Sequence, residues 1–334
     1  MGRPPSPAAA DPLIHLEAVG KTYADGTVAV HDLDLDIPRG SLVCLVGPSG
    51  CGKSTILKMI NRLIEPTAGR ILLDGSDITA VDPVQLRRGI GYVIQQVGLF
   101  PHQKVLANVM TVPRLLGDDH ASARGRAVEL MHLVGLDPEV YADRYPHQLS
   151  GGQQQRVGVA RALAADPKVL LMDEPFAAVD PVIRQRLQDE FLRLQRQLGT
   201  TVLMVTHDLD EAVRMGDRVA VIATGGRLAQ YDVPATVLGD PADDFVAEFV
   251  GSGRGLRRLA VTPIDPRRLE PVDGIAAAEL GGTIDVSATL EDAMALMMRE
   301  DRAMVGVTDG ARFLGILSPA SVHAMLRASV NAGS

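Results

Sequence analysis

Nine consecutive residues, "GPSGCGKST" from Gly47 to Thr55, place three glycines, one lysine and three hydroxyls at the spacing G-x-x-x-x-G-K-[ST]. These residue types suit a polyphosphate. Glycine lets backbone N–H groups turn inward around anionic oxygens, and the start of the following helix adds positive potential. Lys53 then reaches the β- and γ-phosphates, and Ser54 offers its hydroxyl to Mg²⁺. The expected nucleotide contacts are Gly47, Pro48, Ser49, Gly50, Cys51, Gly52, Lys53, Ser54 and Thr55. A second stretch, "KVLLMDEP", ends an apolar run in two acids. Asp173 at the strand end suits the metal ion through its water shell, and Glu174 suits the water that attacks the γ-phosphate. The third stretch is "LSGGQQQR", Leu149 to Arg156. Adjacent glycines cost backbone entropy, so they are expected where the chain must come close to something. Because "RVGVARALAA" follows as a helical pattern, Gly151 and Gly152 fall at a helix N-terminus.

The elements that must hold these stretches are legible from periodicity. "LIHLEAV" and "TVAVHDLDLDI" alternate apolar and polar residues, as half-buried strands do. "SLVCLVG", "IGYVIQ", "KVLLMDEP" and "TVLMVTH" read as buried strands. "KSTILKMINRLI" and "PVIRQRLQDEFLRLQRQLG" carry helical spacing. Strands alternating with helices predict an α/β sheet with parallel strands at its centre. Between Gln95 and Lys168 the pattern is almost wholly helical, which predicts a helical insert. Residues 1–12 form a Pro/Ala-rich tail. After about Gly251, "GSGRGLRRLAVTPIDPRRLEPVDG" reads as a linker or irregular segment. "ATLEDAMALMMRE", "AMVGVTD", "RFLGILS" and "ASVHAMLRA" then spell helix, strand, strand and helix.

The bulk properties narrow the function classes. The chain has 334 residues, 46% of them hydrophobic, enough for two domains with real cores. A net charge of −8 argues against a nucleic-acid partner, which wants a basic face. Two cysteines, Cys44 and Cys51, are too few and too close for a disulfide framework and fit a reducing compartment. No apolar run reaches membrane-spanning length. The opening "MGRPPSPAAADP" lacks the apolar core of a signal peptide. Gly2 and Ser6 match the loose myristoylation pattern, but Pro4 and Pro5 read as a flexible tail. Any link to a membrane is therefore expected through a partner.

Phosphate loop, then "LSGGQ", then a strand ending in Asp-Glu is an order that resembles the ATP-binding cassette (ABC) family over roughly Leu13 to Gly251. The resemblance implies a P-loop NTPase fold of class α/β, with a RecA-like core, an antiparallel β subdomain and a helical subdomain at about 97–165. It also implies ATP and Mg²⁺ as ligands, ATPase activity, and a homodimer that packs head to tail. In such a dimer Ser150, Gly151, Gly152 and Gln153 close over the nucleotide held by the partner. Tyr23, in "KTYADG", resembles the aromatic that stacks on adenine. Gln95, in "GYVIQQ", resembles the glutamine that senses Mg²⁺ and the attacking water, with Gln96 the adjacent alternative. Asp180 resembles the acid that communicates across the dimer, preceded here by Ala177, Ala178 and Val179 where the family often has Ser-Ala-Leu. His207 resembles the switch histidine at the γ-phosphate. The implied catalytic set is Glu174, His207 and Gln95; the implied metal set is Ser54, Gln95 and Asp173.

The stretch "VGLFPHQKVLANV" resembles importer ATPases, in which this region forms a groove for a helix of the membrane subunit. Val97, Leu99 and Phe100 fit either such a docking surface or packing within the insert. "KMINRLIEPTAGRILLDG" and "DRYPHQLSGG" look most like the ATPases of glycine betaine, proline betaine, carnitine and choline importers. The implied partners are transmembrane permease subunits and, indirectly, a solute-binding protein. The implied location is peripheral, on the cytoplasmic face of the inner membrane. Methionine or polyamine import, or a soluble non-transport ABC ATPase, are the alternatives. Residues 251–334 resemble a linker plus one CBS-like α+β module, with Ser321 where such modules often carry a ribose-binding acid. Both a regulatory role and a dimer-stabilising role stay open for it.

Overall fold

The computed structural model describes residues 12–94, 98–177, 179–251, 253–271 and 280–331. The chain divides into two compact units, one of Met1–Asp208 with Ala220–Leu228, the other of Leu209–Val219 with Ala229–Ser334. In chain order the first unit opens with strands β1 (Ile14–Thr22), β2 (Val28–Ile37) and β3 (Leu42–Val46). Helix α1 (Lys53–Ile60), strands β4 (Ala68–Leu73) and β5 (Ser76–Asp77), helix α2 (Pro83–Arg88) and strand β6 (Ile90–Val93) follow. The helical insert comprises α3 (Val105–Leu116), α4 (His120–Leu133), α5 (Pro138–Tyr141) and α6 (Gly151–Leu163). Strand β7 (Val169–Asp173), helix α7 (Pro181–Leu198) and strand β8 (Thr201–Val205) return the chain to the core.

Strands β3, β8, β7 and β6 lie side by side and parallel. Every residue of β3, β7 and β8 is buried, which is why these segments read as continuous apolar runs rather than as alternating ones. With helix α8 (Leu209–Met215) between them in sequence, β9 (Arg218–Ala223) and β10 (Arg227–Asp232) complete the order β10-β9-β3-β8-β7-β6. A separate antiparallel sheet runs β2-β1-β4-β5. The expected α/β cassette with its antiparallel and helical parts is thus present. Parallel strands put their C-terminal ends on one edge, so the loops after β3, β7 and β8 gather there.

The second unit continues with α9 (Pro234–Gly239), α10 (Asp244–Val250) and α11 (Arg254–Val261). It ends with β11 (Leu280–Asp285), α12 (Leu290–Arg299), β12 (Met304–Asp309), β13 (Arg312–Leu317) and α13 (Pro319–Asn331). Strand β12 pairs parallel with β11 and antiparallel with β13. Ile264, Leu290, Val305, Val307, Leu317 and Met325 lie in one buried cluster. Thr289 caps α12 through a reciprocal bond with Asp292, as the "TLED" sequence allows. The stretch expected to be irregular after Gly251 instead carries α11. Leu259 of that helix packs against the cluster, and the Arg258 guanidinium donates to the Leu326 carbonyl of α13. Tertiary contacts therefore stabilise a helix that its internal Gly255 disfavours. No helix among the described residues is long and apolar enough to cross a membrane.

Candidate functional site

The loop between β3 and α1 is held by backbone crowding. A β-carbon on Gly47 would lie 2.1 Å from the Ile222 carbonyl oxygen, and one on Gly52 would lie 2.3 Å from the Ala29 carbonyl oxygen. Gly52 also takes φ +109° as the residue that starts the helix, a backbone that L side chains resist. Lys53, 6% exposed, folds its ammonium back over the loop and donates to the carbonyls of Gly47 (2.8 Å) and Pro48 (3.0 Å). The positive charge is thereby held over the loop itself.

One residue further on, the Ser54 hydroxyl donates to Oδ1 of Asp173 at 2.9 Å. Asp173 is the last residue of β7 and is 7% exposed. Burial pushes its carboxyl above the ordinary value, against the pull of the Ser54 hydrogen bond; the Glu174 charge adds to the rise, and Lys58 and Lys53 oppose it. A hydroxyl and a desolvated carboxylate side by side offer the hard oxygen donors that Mg²⁺ prefers. These residues therefore fit the cation.

Glu174 leaves the strand with φ +49°, and its N–H donates to the Val205 carbonyl of the adjacent strand (2.9 Å). Its Oε1 lies 3.2 Å from Nδ1 of His207, two residues past the end of β8. Gln155, 3% exposed on α6, reaches the Glu174 carbonyl through Nε2 at 3.4 Å. Sequence reading passed over this glutamine; its place in "GGQQQR" gives no sign of which glutamine turns inward. The outcome is a carboxylate at the strand edge with an imidazole at its side, on the same edge as the Ser54–Asp173 pair and the glycine-rich loop.

The other expected residues fall in three places. Tyr23, 40% exposed, lies in the β1–β2 turn with the Lys21 ammonium 5.5 Å above its ring. Ser150 caps α6: its hydroxyl accepts from the Gln153 N–H, while the Gln153 side chain accepts from the Ser150 N–H. The Gln153 amide also donates to the Tyr141 hydroxyl (3.1 Å), so this turn is held by its own segment. Asp180 is exposed at the start of α7. Gln95, its alternative Gln96, Val97 and Ala178 lie outside the described residues. Beside the loop at 98–101, a cleft of about 490 Å³ is lined by Ile94, Leu99, Pro101, Pro146, His147 and Gln154. Phe100 is 40% exposed there, its backbone fixed by both polar atoms of the buried Asn108 side chain.

Known proteins are similar to this chain. Residues 30–177 match the family described as ABC transporter. The glycine betaine/carnitine/choline transport ATP-binding protein OpuCA of Bacillus subtilis is 50% identical over 290 residues, 87% of this chain and 73% of its own length. The glycine betaine uptake system ATP-binding protein YehX of Escherichia coli is 50% identical over 289 residues, 86% of this chain and 91% of its own. Among solved structures, the dimeric bacterial ABC transporter cassette MJ0796 matches with a TM-score of 0.61 and 35% identity, covering 66% of this chain and 98% of that one. The same cassette has been solved as a post-hydrolysis dimer bound to ADP and Pi.

Two predictions follow from the crowding and from the buried carboxyl. Gly50 has φ +77° but faces open space, so Gly50→Ala costs only the roughly 1–2 kcal/mol of left-handed backbone. Gly52→Ala must in addition displace the Ala29 carbonyl, for a total of roughly 3 kcal/mol or more and most of the nucleotide affinity; thermal unfolding and equilibrium ATP binding separate the two variants. For Asp173 the folded state favours the neutral carboxyl, so the nucleotide-free chain is penalised once that group ionises. Asp173→Asn keeps an acceptor for Ser54 and raises Tm at pH 7. The gap closes as pH falls through the raised carboxyl pKa toward 3.8, the ordinary value. Melting curves of both proteins across that range check the sign.

Proposed function

Since the chain belongs to the family of ABC transporter ATP-binding proteins, we propose that it is the ATP-hydrolysing subunit of an importer for quaternary-amine osmoprotectants. Glycine betaine, carnitine, choline and proline betaine are the solutes in question. The observation that carries this reading is the meeting of the Gly47–Gly52 cradle, the Ser54–Asp173 pair and the Glu174–His207 pair at one sheet edge. It is supported by half-identity to relatives whose names state glycine betaine transport.

On this reading Lys53 and the loop amides hold the phosphates, and Tyr23 stacks on the base. Ser54 and Asp173 hold Mg²⁺, joined by Gln95. The cation, when bound, supplies neutralisation of the phosphate charge. Glu174 orients the attacking water and accepts its proton, and His207 keeps the Glu174 carboxylate turned toward it. Ser150, Gly151 and Gly152 close over the nucleotide of a second identical copy, with Asp180 at the same boundary. The cleft beside Leu99 and Phe100 takes a helix of the permease, which keeps the subunit peripheral on the inner face of the membrane. A solute-binding protein delivers the osmoprotectant to that permease. We read the C-terminal tail as a CBS-like module in which Ser321 bonds Ser318 where such modules often carry an acid.

Glu174→Gln should slow turnover by about two to four orders of magnitude and leave an ATP-bound dimer visible by size exclusion; parental turnover in that variant removes the assignment of the base. Reconstitution with its permease and binding protein in vesicles tests the solute. Glycine betaine raises ATPase activity there, whereas stimulation by methionine or a polyamine alone replaces the proposed substrate class.

A further inference from the structure

The loops after β7 and β8 each carry one member of the Glu174–His207 pair, and a side chain from neither loop joins them from outside. Arg184 lies in the first turns of α7. Its Nη2 donates to the Val179 carbonyl at 3.1 Å, in the turn that follows Glu174. Its Nη1 stands 3.6 Å from Oδ2 of Asp208, the residue after His207. The side chain is 27% exposed, so this ion pair is only partly screened by water. Its Nε is buried and finds no acceptor among the described residues. A buried donor left unmade costs free energy, so the guanidinium sits where its two ends reach both loops rather than where every donor is satisfied.

Each loop also makes bonds within its own strand neighbourhood. In the first, the Ala177 N–H donates to Glu174 O (3.3 Å) and the Val179 N–H to Phe176 O (3.1 Å). In the second, the Thr206 N–H donates to Leu45 O (3.1 Å) and the Asp208 N–H to the Thr206 hydroxyl (3.0 Å). The Glu174 N–H bond to the Val205 carbonyl (2.9 Å) ties the two turns at their base, and Arg184 ties them further along, at Val179 and Asp208. His207 is 58% exposed and lies 3.2 Å from Glu174, so the backbone that carries it sets how it meets the carboxylate. A planar fork holds its two donors at a fixed spacing and so suits two separated acceptors; an ammonium presents all its donors from one atom.

We propose that Arg184 is a positioning residue that locks the turn after Glu174 to the turn bearing His207, setting the geometry of the catalytic pair without touching nucleotide. The inference rests on the proposed ATPase function. A displacement of about an ångström at a reacting pair costs orders of magnitude in rate, while substrate affinity from the distant cradle is kept. Arg184→Ala should therefore lower kcat about tenfold or more and move the ATP dissociation constant less than twofold, measured on the purified 334-residue chain by steady-state hydrolysis and equilibrium binding. Asp208→Asn, an isosteric change, should lower kcat in the same direction, and the double variant should be no slower than the slower single one. Arg184→Lys should recover only part of the loss.

Three results overturn the inference. One is parental kcat in Arg184→Ala and Asp208→Asn with only Tm lowered, the mark of a purely structural contact. Another is kcat and ATP affinity falling together. The third is additive losses in the double variant. If Arg184→Ala does not fold, Asp208→Asn carries the same test. A parent chain that fails to hydrolyse ATP overturns the proposed function and this inference with it; a parent that hydrolyses ATP, loses activity on Glu174→Gln, and is unaffected by both Arg184→Ala and Asp208→Asn overturns this inference alone.

Discussion

Backbone pressed against backbone behind the phosphate loop is the constraint on which the nucleotide-binding unit depends. Ala29 on β2 and Ile222 on β9 present carbonyl oxygens where side chains on Gly52 and Gly47 would have to go. Gly226 meets the same strand from a third direction: a β-carbon there would lie 2.5 Å from the Val30 α-carbon. Two glycines of the loop and one from the β9–β10 turn therefore let the antiparallel sheet and the parallel sheet close on one loop. Once the loop is fixed, the rest follows in order. Lys53 points back at the loop's own carbonyls and at the Cys51 sulfur, and Ser54 is delivered to Asp173 at the end of β7. Little conformational entropy remains to be lost when an anion arrives, which is what preorganisation means for a binding site.

Much of this was legible in the residues themselves. The spacing from Gly47 to Thr55 and the apolar strand before it locate the cradle, because so few residue types permit that turn. The fully apolar runs at β3, β7 and β8 announce strands buried on both faces. What lay beyond reach depends on contacts between distant segments. Ala29 sits in an alternating strand and nothing in its type says that its carbonyl abuts a glycine of the loop. Gln155 is one of three glutamines in a row, and helical phase alone does not say which one meets the Glu174 carbonyl. Arg184 reads as a solvated helix charge until β7 and β8 are seen to be neighbours. The helix at Arg254–Val261 was hidden by its glycines and arginines, since its stability comes from Leu259 and Arg258 meeting the distant α12–α13 region.

The glycines at 151 and 152 obey a different logic from those at 47 and 52. Neither takes a positive φ. A β-carbon on Gly152 would meet only the Val179 methyls at 3.8 and 3.9 Å, an ordinary contact. Within one copy of the chain, alanine at Gly152 would fit and would favour the helix by about 1 kcal/mol. Asp173 shows the same pattern, a carboxyl held in a buried place where its charged form is disfavoured. Features that are unfavourable within a single copy point to a state in which they are compensated. On the proposed reading that state is the ATP-bound dimer: the bare backbone at 151–152 then faces the partner's nucleotide, and Asp173 acquires its cation. Local stability is thus given up at the positions where the site is completed from outside the chain, and retained at 47 and 52, where it is completed from within.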